Sequence, residues 1–128
     1  MSEKKSLRKE LETILKDMEQ AIGDVEGAAV VRTDGLIVAF AMPRETDESL
    51  VAAMSAALLN IGSRTVKELA RGDLEKVIVS GTKGDVVLMG AGQDAVLSGI
   101  TKSGANIGLV LVEMKRTSGK LGQLMKGS

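Results

Sequence analysis

Apolar positions along the chain recur at two spacings, and the switches between them divide it into eight elements. From Lys4 to Ile22, the residues Leu7, Leu11, Ile14, Leu15, Met18 and Ile22 recur at steps of three and four, with Lys, Glu and Asp between them. That is an amphipathic helix with one apolar stripe, and Gly23 is placed to stop it. In GAAVVRTDGLIVAFAMP, which begins at Gly27, two short apolar runs flank Asp34-Gly35. Asp-Gly supplies the positive φ angles of a type I′ turn, so the spacing predicts a hairpin with strands near Gly27–Thr33 and Leu36–Met42. Pro43, the only proline, closes the second strand because it cannot donate to a ladder.

A second helix is predicted from Asp47 to Ala70. Thr46 or Asp47 can cap it, Glu48 suits the positive end of its dipole, and Gly72 follows it. On a helical projection Leu50, Met54, Leu58, Ile61 and Leu69 form one arc, which Val51, Ala52, Leu59 and Val66 widen to more than half the circumference. Ala53, Ala56, Asn60, Ser63, Arg64 and Lys67 are left for solvent. One sheet cannot cover so wide an arc, so the surplus requires a second cover.

Three strands follow, EKVIVSG, TKGDVVLMGAG and DAVLSGITK, with turns near Lys83-Gly84 and Gln93-Asp94. Such short connections make successive strands antiparallel neighbours. The continuous apolar runs Val77–Val79 and Val86–Met89 imply cover on both faces. If Glu75–Ser80 lies at a sheet edge, it is an apolar edge with no proline and no central charge, which invites pairing with another chain. One symmetric contact could then cover both that edge and the surplus of the second helix.

Near the end, Leu109–Val112 reads locally as a buried strand. Over a longer span, Ile107, Val110, Leu111, Met114, Leu121 and Met125 fall on one helical face. The prediction is a helix capped by Asn106 or Ser103 that frays after Gly119 and Gly122, since each costs about 1 kcal/mol relative to Ala. Leu109 and Val112 project from the other side, where either the first helix covers them or they form a docking patch. The order is helix, two strands, helix, three strands, helix, an α+β arrangement over a single domain, residues 1–128.

Composition narrows the function. The 128 residues include no Cys, His, Trp or Tyr, and Phe40 is the only aromatic residue. This excludes disulfides, thiolate or imidazole zinc sites, and His- or Cys-based nucleophilic catalysis. It also removes the platform on which single-stranded bases stack. Seventeen basic residues balance seventeen acidic ones, so no global attraction to nucleic acid or to a membrane is expected. No segment approaches the roughly 20 continuous apolar residues of a span, and the charged start lacks a secretory core. The expectation is a cytoplasmic protein without direct membrane insertion.

No cofactor is expected either. Gly90-Ala91-Gly92-Gln93-Asp94-Ala95 matches a dinucleotide fingerprint on paper, but it lies between two strands instead of opening a helix, so it reads as a turn. Asp34, Asp85 and Asp94 sit at turns, and Asp47 and Glu48 open a helix, which explains them without metal or acid–base chemistry. Met18, Met54, Met114 and Met125 fall on core stripes. Lys115, Arg116 and Lys120 read as a solvated helix face favoured by the dipole.

The segments VVRTDGLIVAF, SLVAAMSAALLNIGSRTVKEL, EKVIVSGTKGDVVLMGAG and NIGLVLVEMKRTSGKL resemble the Roadblock/dynein-light-chain family, and its MglB-like members most. The resemblance implies a Roadblock/profilin-like αββαβββα fold, with a five-stranded antiparallel sheet between the second helix on one face and the first and third on the other. It implies a homodimer joined through the third strands, at Val77, Ile78 and Val79, with the second helices side by side through Leu50, Met54, Leu58 and Leu59. It further implies a partner, a small Ras-like GTPase, activated or scaffolded without catalytic residues of this chain. Ala53, Ala56, Asn60, Ser63, Arg64 and Lys67 would face that partner. The alternative within the family is a structural adaptor of a larger complex, indifferent to nucleotide state. A free-standing enzyme is not expected.

Overall fold

In the computed structural model, which describes the backbone of residues 2–126 and the side chains of 6–126, the eight elements follow in the expected order. They are α1 (Ser2–Ala21), β1 (Val25–Arg32), β2 (Ile37–Ala41), α2 (Glu48–Glu68), β3 (Lys76–Gly81), β4 (Gly84–Gly90), β5 (Ala95–Thr101) and α3 (Ile107–Lys126). The strands form one antiparallel sheet in the order β2-β1-β5-β4-β3. β5 is the central strand, flanked by β1 and β4, and β2 and β3 are the two edges.

Alternation along the strands sorts their side chains into two cores. Ala28, Val30, Val87, Met89 and Leu97 face α1 and α3, where Leu11, Leu15, Met18, Val110, Met114 and Leu121 close over them. Ala29, Val31, Leu88 and Val96 face α2, which contributes buried Ala52 and the half-buried Val51, Leu58 and Leu59. The sheet is therefore sandwiched between one helix and two, and the two-helix side holds the larger core.

Several local expectations are corrected. The β1–β2 turn is not type I′, because only Gly35 has a positive φ, of 93°. The Gly35 N–H donates to the Arg32 carbonyl (2.9 Å) and the Arg32 N–H to the Leu36 carbonyl (2.8 Å). That is a three-residue loop ending on a left-handed glycine. The Asp34 carboxylate accepts from the Leu36 N–H and pairs with Arg32 at 2.6 Å, which favours the longer loop.

Asp47 caps α2, accepting from the Leu50 N–H at 3.2 Å. Its other end closes before Gly72. The Ala70 N–H donates to the Lys67 carbonyl and the Arg71 N–H to the Val66 carbonyl, the paired bonds of a Schellman end. Ala70 occupies its left-handed position, at φ 56°, where a non-glycine residue costs about 1 kcal/mol.

α3 does not fray at its glycines. It stays helical through Lys126, and Leu121 is fully buried. A Cβ on Gly122 would stand 3.2 Å from the Gly92 nitrogen in the β4–β5 turn, so the glycine lets helix and turn meet. At its start, the Asn106 side chain accepts from the Leu109 N–H (3.2 Å), as a cap should. Asp24 accepts from the Asn106 N–H at 2.9 Å. That bond, helped by the Lys102 ammonium, holds the Asp24 carboxyl below the usual carboxylate range.

Candidate functional site

The two sheet edges end differently. On β2, the Glu12 carboxylate reaches across from α1 and accepts the Phe40 N–H at 3.3 Å. β3 has no such cover among the described residues. Ile78 and Val79 are exposed and Val77 is half-buried. The cover expected on both faces of Val77–Val79 is not supplied by this chain itself, because the strand is the last in the sheet. Alternation puts Val77 and Val79 toward α2 and Ile78 toward the opposite layer.

α2 rests on the sheet through a different face from the one its large residues predict. Ala52 and Ser55 are buried, and Leu59, Gly62 and Val66 continue the same stripe half-buried. A Cβ on Gly62 would lie 3.0 Å from Val77 Cγ2, so this glycine lets α2 approach β3. Leu50, Met54, Ile61 and Leu69 point to solvent, each more than half exposed. They do not line the core as their projected arc implies, and Met54 is not a core methionine. Leu58 and Leu59 do pack on the α2-side core.

Of the expected solvent strip, Ala53, Asn60, Arg64 and Lys67 are exposed, whereas Ala56 and Ser63 are half-buried and turned toward the sheet. Arg64 pairs with Glu68 at 3.5 Å, both largely exposed, and such a pair adds little to stability. The exposed surface that the sequence reading missed is Ile61 and Leu69. The available signal was the small-residue stripe Ala52, Ser55 and Gly62, since small side chains let a helix lie close to a sheet.

By length and composition, α2 is the helix among the described residues that could cross a membrane. Here it lies on the sheet with its apolar excess facing outward.

The chemistry elsewhere is sparse. Among the described residues, no group of His, Cys, Asp or Glu is arranged to hold a metal ion. A cleft of about 690 Å³ opens between the β1–β2 and β4–β5 turns and the ends of α1 and α3, lined by Leu7, Val38, Ala95 and Met125. Its Arg32 and Asp34 are already paired with each other. On α1, burial pushes the Glu19 carboxyl above its usual range, partly offset by Lys16. Residues 91–94, inside the Gly90–Ala95 motif, form the turn between β4 and β5, as expected. Leu109 and Val112 are not covered by α1; both stand in solvent.

The surface is thus an apolar helix stripe beside an unpaired strand edge. The family model for the Roadblock/LC7 domain matches residues 11–101. Three uncharacterised proteins of Methanocaldococcus jannaschii are each 32% identical over 111 residues, covering 87% of this chain and 92–96% of their own length. Two MglB structures, one in a tetrameric arrangement and one from Thermus thermophilus, align at TM-scores of 0.87 and 0.86. Each is 17% identical, covering 94% and 95% of this chain and 91% and 93% of theirs. Profilin IB of Acanthamoeba castellanii aligns at 0.59 with 15% identity, covering 88% of this chain and 97% of its own.

Proposed function

Since the chain belongs to the Roadblock/LC7 domain family, we propose that it is a cytoplasmic homodimeric interaction module that binds and regulates a small Ras-like GTPase. The observation that carries this reading is the pairing of two uncovered features. The inner face of α2 packs on β3 where Gly62 meets Val77, so the exposed stripe of α2 stands above the strand whose rim is open. One two-fold contact covers both. Val77, Ile78 and Val79 form the seam between sheets, and Leu50, Met54, Leu58 and Leu59 form the helix contact or the packing beneath it.

An antiparallel two-fold pairing of β3 leaves both α2 helices on the same side of the joined sheet. The paired helices then present Ala53, Asn60, Arg64 and Lys67 from both copies, with Ala56 and Ser63 lower in the groove. Small side chains there permit close approach of a partner's backbone. GTP hydrolysis depends mainly on positioning and on electrostatics around the transferred phosphoryl group. A partner with no nucleophile or general base can therefore act by holding the GTPase's own switch residues and water in place.

The test is GTP turnover by Ras-like GTPases of the same organism, with and without the chain, alongside binding in the GTP and GDP states. Nucleotide-dependent binding or a changed rate is expected, and Arg64→Glu reduces it at least tenfold. Binding that ignores the nucleotide assigns the adaptor role instead. Absence of both binding and rate change contradicts the proposal.

A further inference from the structure

α3 turns Val110, Met114, Thr117 and Leu121 onto the sheet. Its outward face carries Leu109 and Val112, 56% and 69% exposed, and the exposed cations Lys115, Arg116, Lys120 and Lys126. Glu113, the one acidic residue of the helix, is half-buried. Ion pairs form elsewhere on the chain, as between Arg32 and Asp34. Among the described residues none involves these four cations. The chain has no net charge, so the concentration of positive charge is local. The helix dipole explains a cation in the last turn, but not Lys115 and Arg116 in mid-helix. On the neighbouring α1, exposed Lys9 and Lys16 are balanced by exposed Glu10 and Asp17.

From this juxtaposition we infer that the outer face of α3 docks on an anionic lipid surface. Leu109 and Val112 are shallow apolar anchors, and the four cations meet the headgroups. Charge complementarity favours this occupant over a neutral one, and the shape favours a surface over a peptide. The outward face is a convex helix ridge, which suits a flat, laterally mobile array of negative charge. The outer stripe of α2 lacks this character, because its apolar residues are interspersed with both signs of charge.

If the chain pairs through β3 as proposed above, both α3 helices lie on one side of the joined sheet, opposite the α2 pair. Two such faces then engage one surface together, and the second contact is effectively intramolecular. The doubling rests on the dimer; the face itself does not.

Sedimentation of the full chain with vesicles tests this. Binding is expected to vesicles of phosphatidylglycerol mixed with phosphatidylcholine, not to phosphatidylcholine alone, and to reverse in high salt. Removing one cation weakens binding about fivefold, so Lys115→Glu with Arg116→Glu weakens it well over tenfold. Leu109→Ser with Val112→Ser weakens it several-fold and leaves the salt dependence unchanged. All four residues are exposed, and circular dichroism confirms that the variants fold.

Equal binding to both vesicle types, no binding, or variants that bind like the parent would overturn the inference. So would full displacement by soluble polyglutamate with no effect of Leu109 and Val112, which assigns an acidic protein instead. Light scattering on the same samples separates the two readings, because a monomer that still binds anionic vesicles removes only the dimer.

Discussion

Ile78→Asp converts the proposed dimer to a folded monomer, read as a halved mass by light scattering or sedimentation. Ile78 stands on the outermost strand, 40% exposed, and its cross-strand partner on β4 is Val87. In an isolated chain an aspartate at that rim stays in water and costs little. In a two-fold seam it appears twice, and each copy loses apolar burial and places a charge where its surroundings are aliphatic. Desolvating an unpaired carboxylate costs several kcal/mol, so the dissociation constant is expected to rise by roughly 1,000-fold or more, about 4 kcal/mol. The variant retains its circular dichroism spectrum, because the substituted side chain leaves both cores untouched. An unchanged mass rejects Ile78 as part of a seam.

Gly84→Ala has a comparably large effect, on folding. Gly84 begins β4 with a φ of 144°, a conformation that residues with a side chain rarely adopt. A Cβ there would also run into the carbonyl oxygen of Thr101 on β5. That carbonyl belongs to backbone and cannot swing aside as a flexible side chain would. The neighbouring Asp85 N–H donates to Thr101 Oγ1 at 3.0 Å, so any shift that relieves the collision breaks this bond too. Strain of this type costs about 1–3 kcal/mol before the steric term is added. The expected loss is more than ~3 kcal/mol, a fall of roughly 10 °C or more in the unfolding midpoint. Gly90, at the other end of β4, is the control. A methyl group added there would meet nothing within 4 Å, so Gly90→Ala is expected to change stability by no more than ~0.5 kcal/mol. Similar midpoints for the two variants would contradict the reading.

The eight elements are legible from periodicity and turn signals, because the inner strands feed two cores and α1 and α3 each carry one well-formed stripe. The run Leu109–Val112 is the instructive case. Four consecutive apolar residues look like a strand, but only Val110 of that run is fully buried, as the longer helical spacing implies. What periodicity does not resolve is the orientation of α2. Its large residues outnumber the places available on one sheet, and the choice of inner face falls to Ala52, Ser55 and Gly62, which let backbone approach backbone. Hydrophobicity ranks those residues well below Leu, Met and Ile, so a projection weighted by it points Leu50, Met54 and Ile61 inward.

The turns mislead for a related reason. Asp34-Gly35 satisfies two loop lengths, and hydrogen bonds to Asp34 decide between them. Gly119 and Gly122 look like a weak helix end, but tertiary contact at Gly122 outweighs the propensity cost. Strand order is inferable only in part. The meander of β3, β4 and β5 follows from short connections, whereas the position of β3 at the rim depends on β1 pairing with β5, a long-range contact.

That rim position is central to the proposed dimer, and a cysteine scan tests it most directly. The chain contains no cysteine, so single substitutions along β3 (Lys76–Gly81) and along β2 (Ile37–Ala41) each introduce one thiol. Under mild oxidation, a two-fold β3 seam predicts disulfide-linked dimers at the β3 positions nearest the axis and none along β2. Absence of cross-linking on β3, or equal cross-linking on both edges, would contradict it.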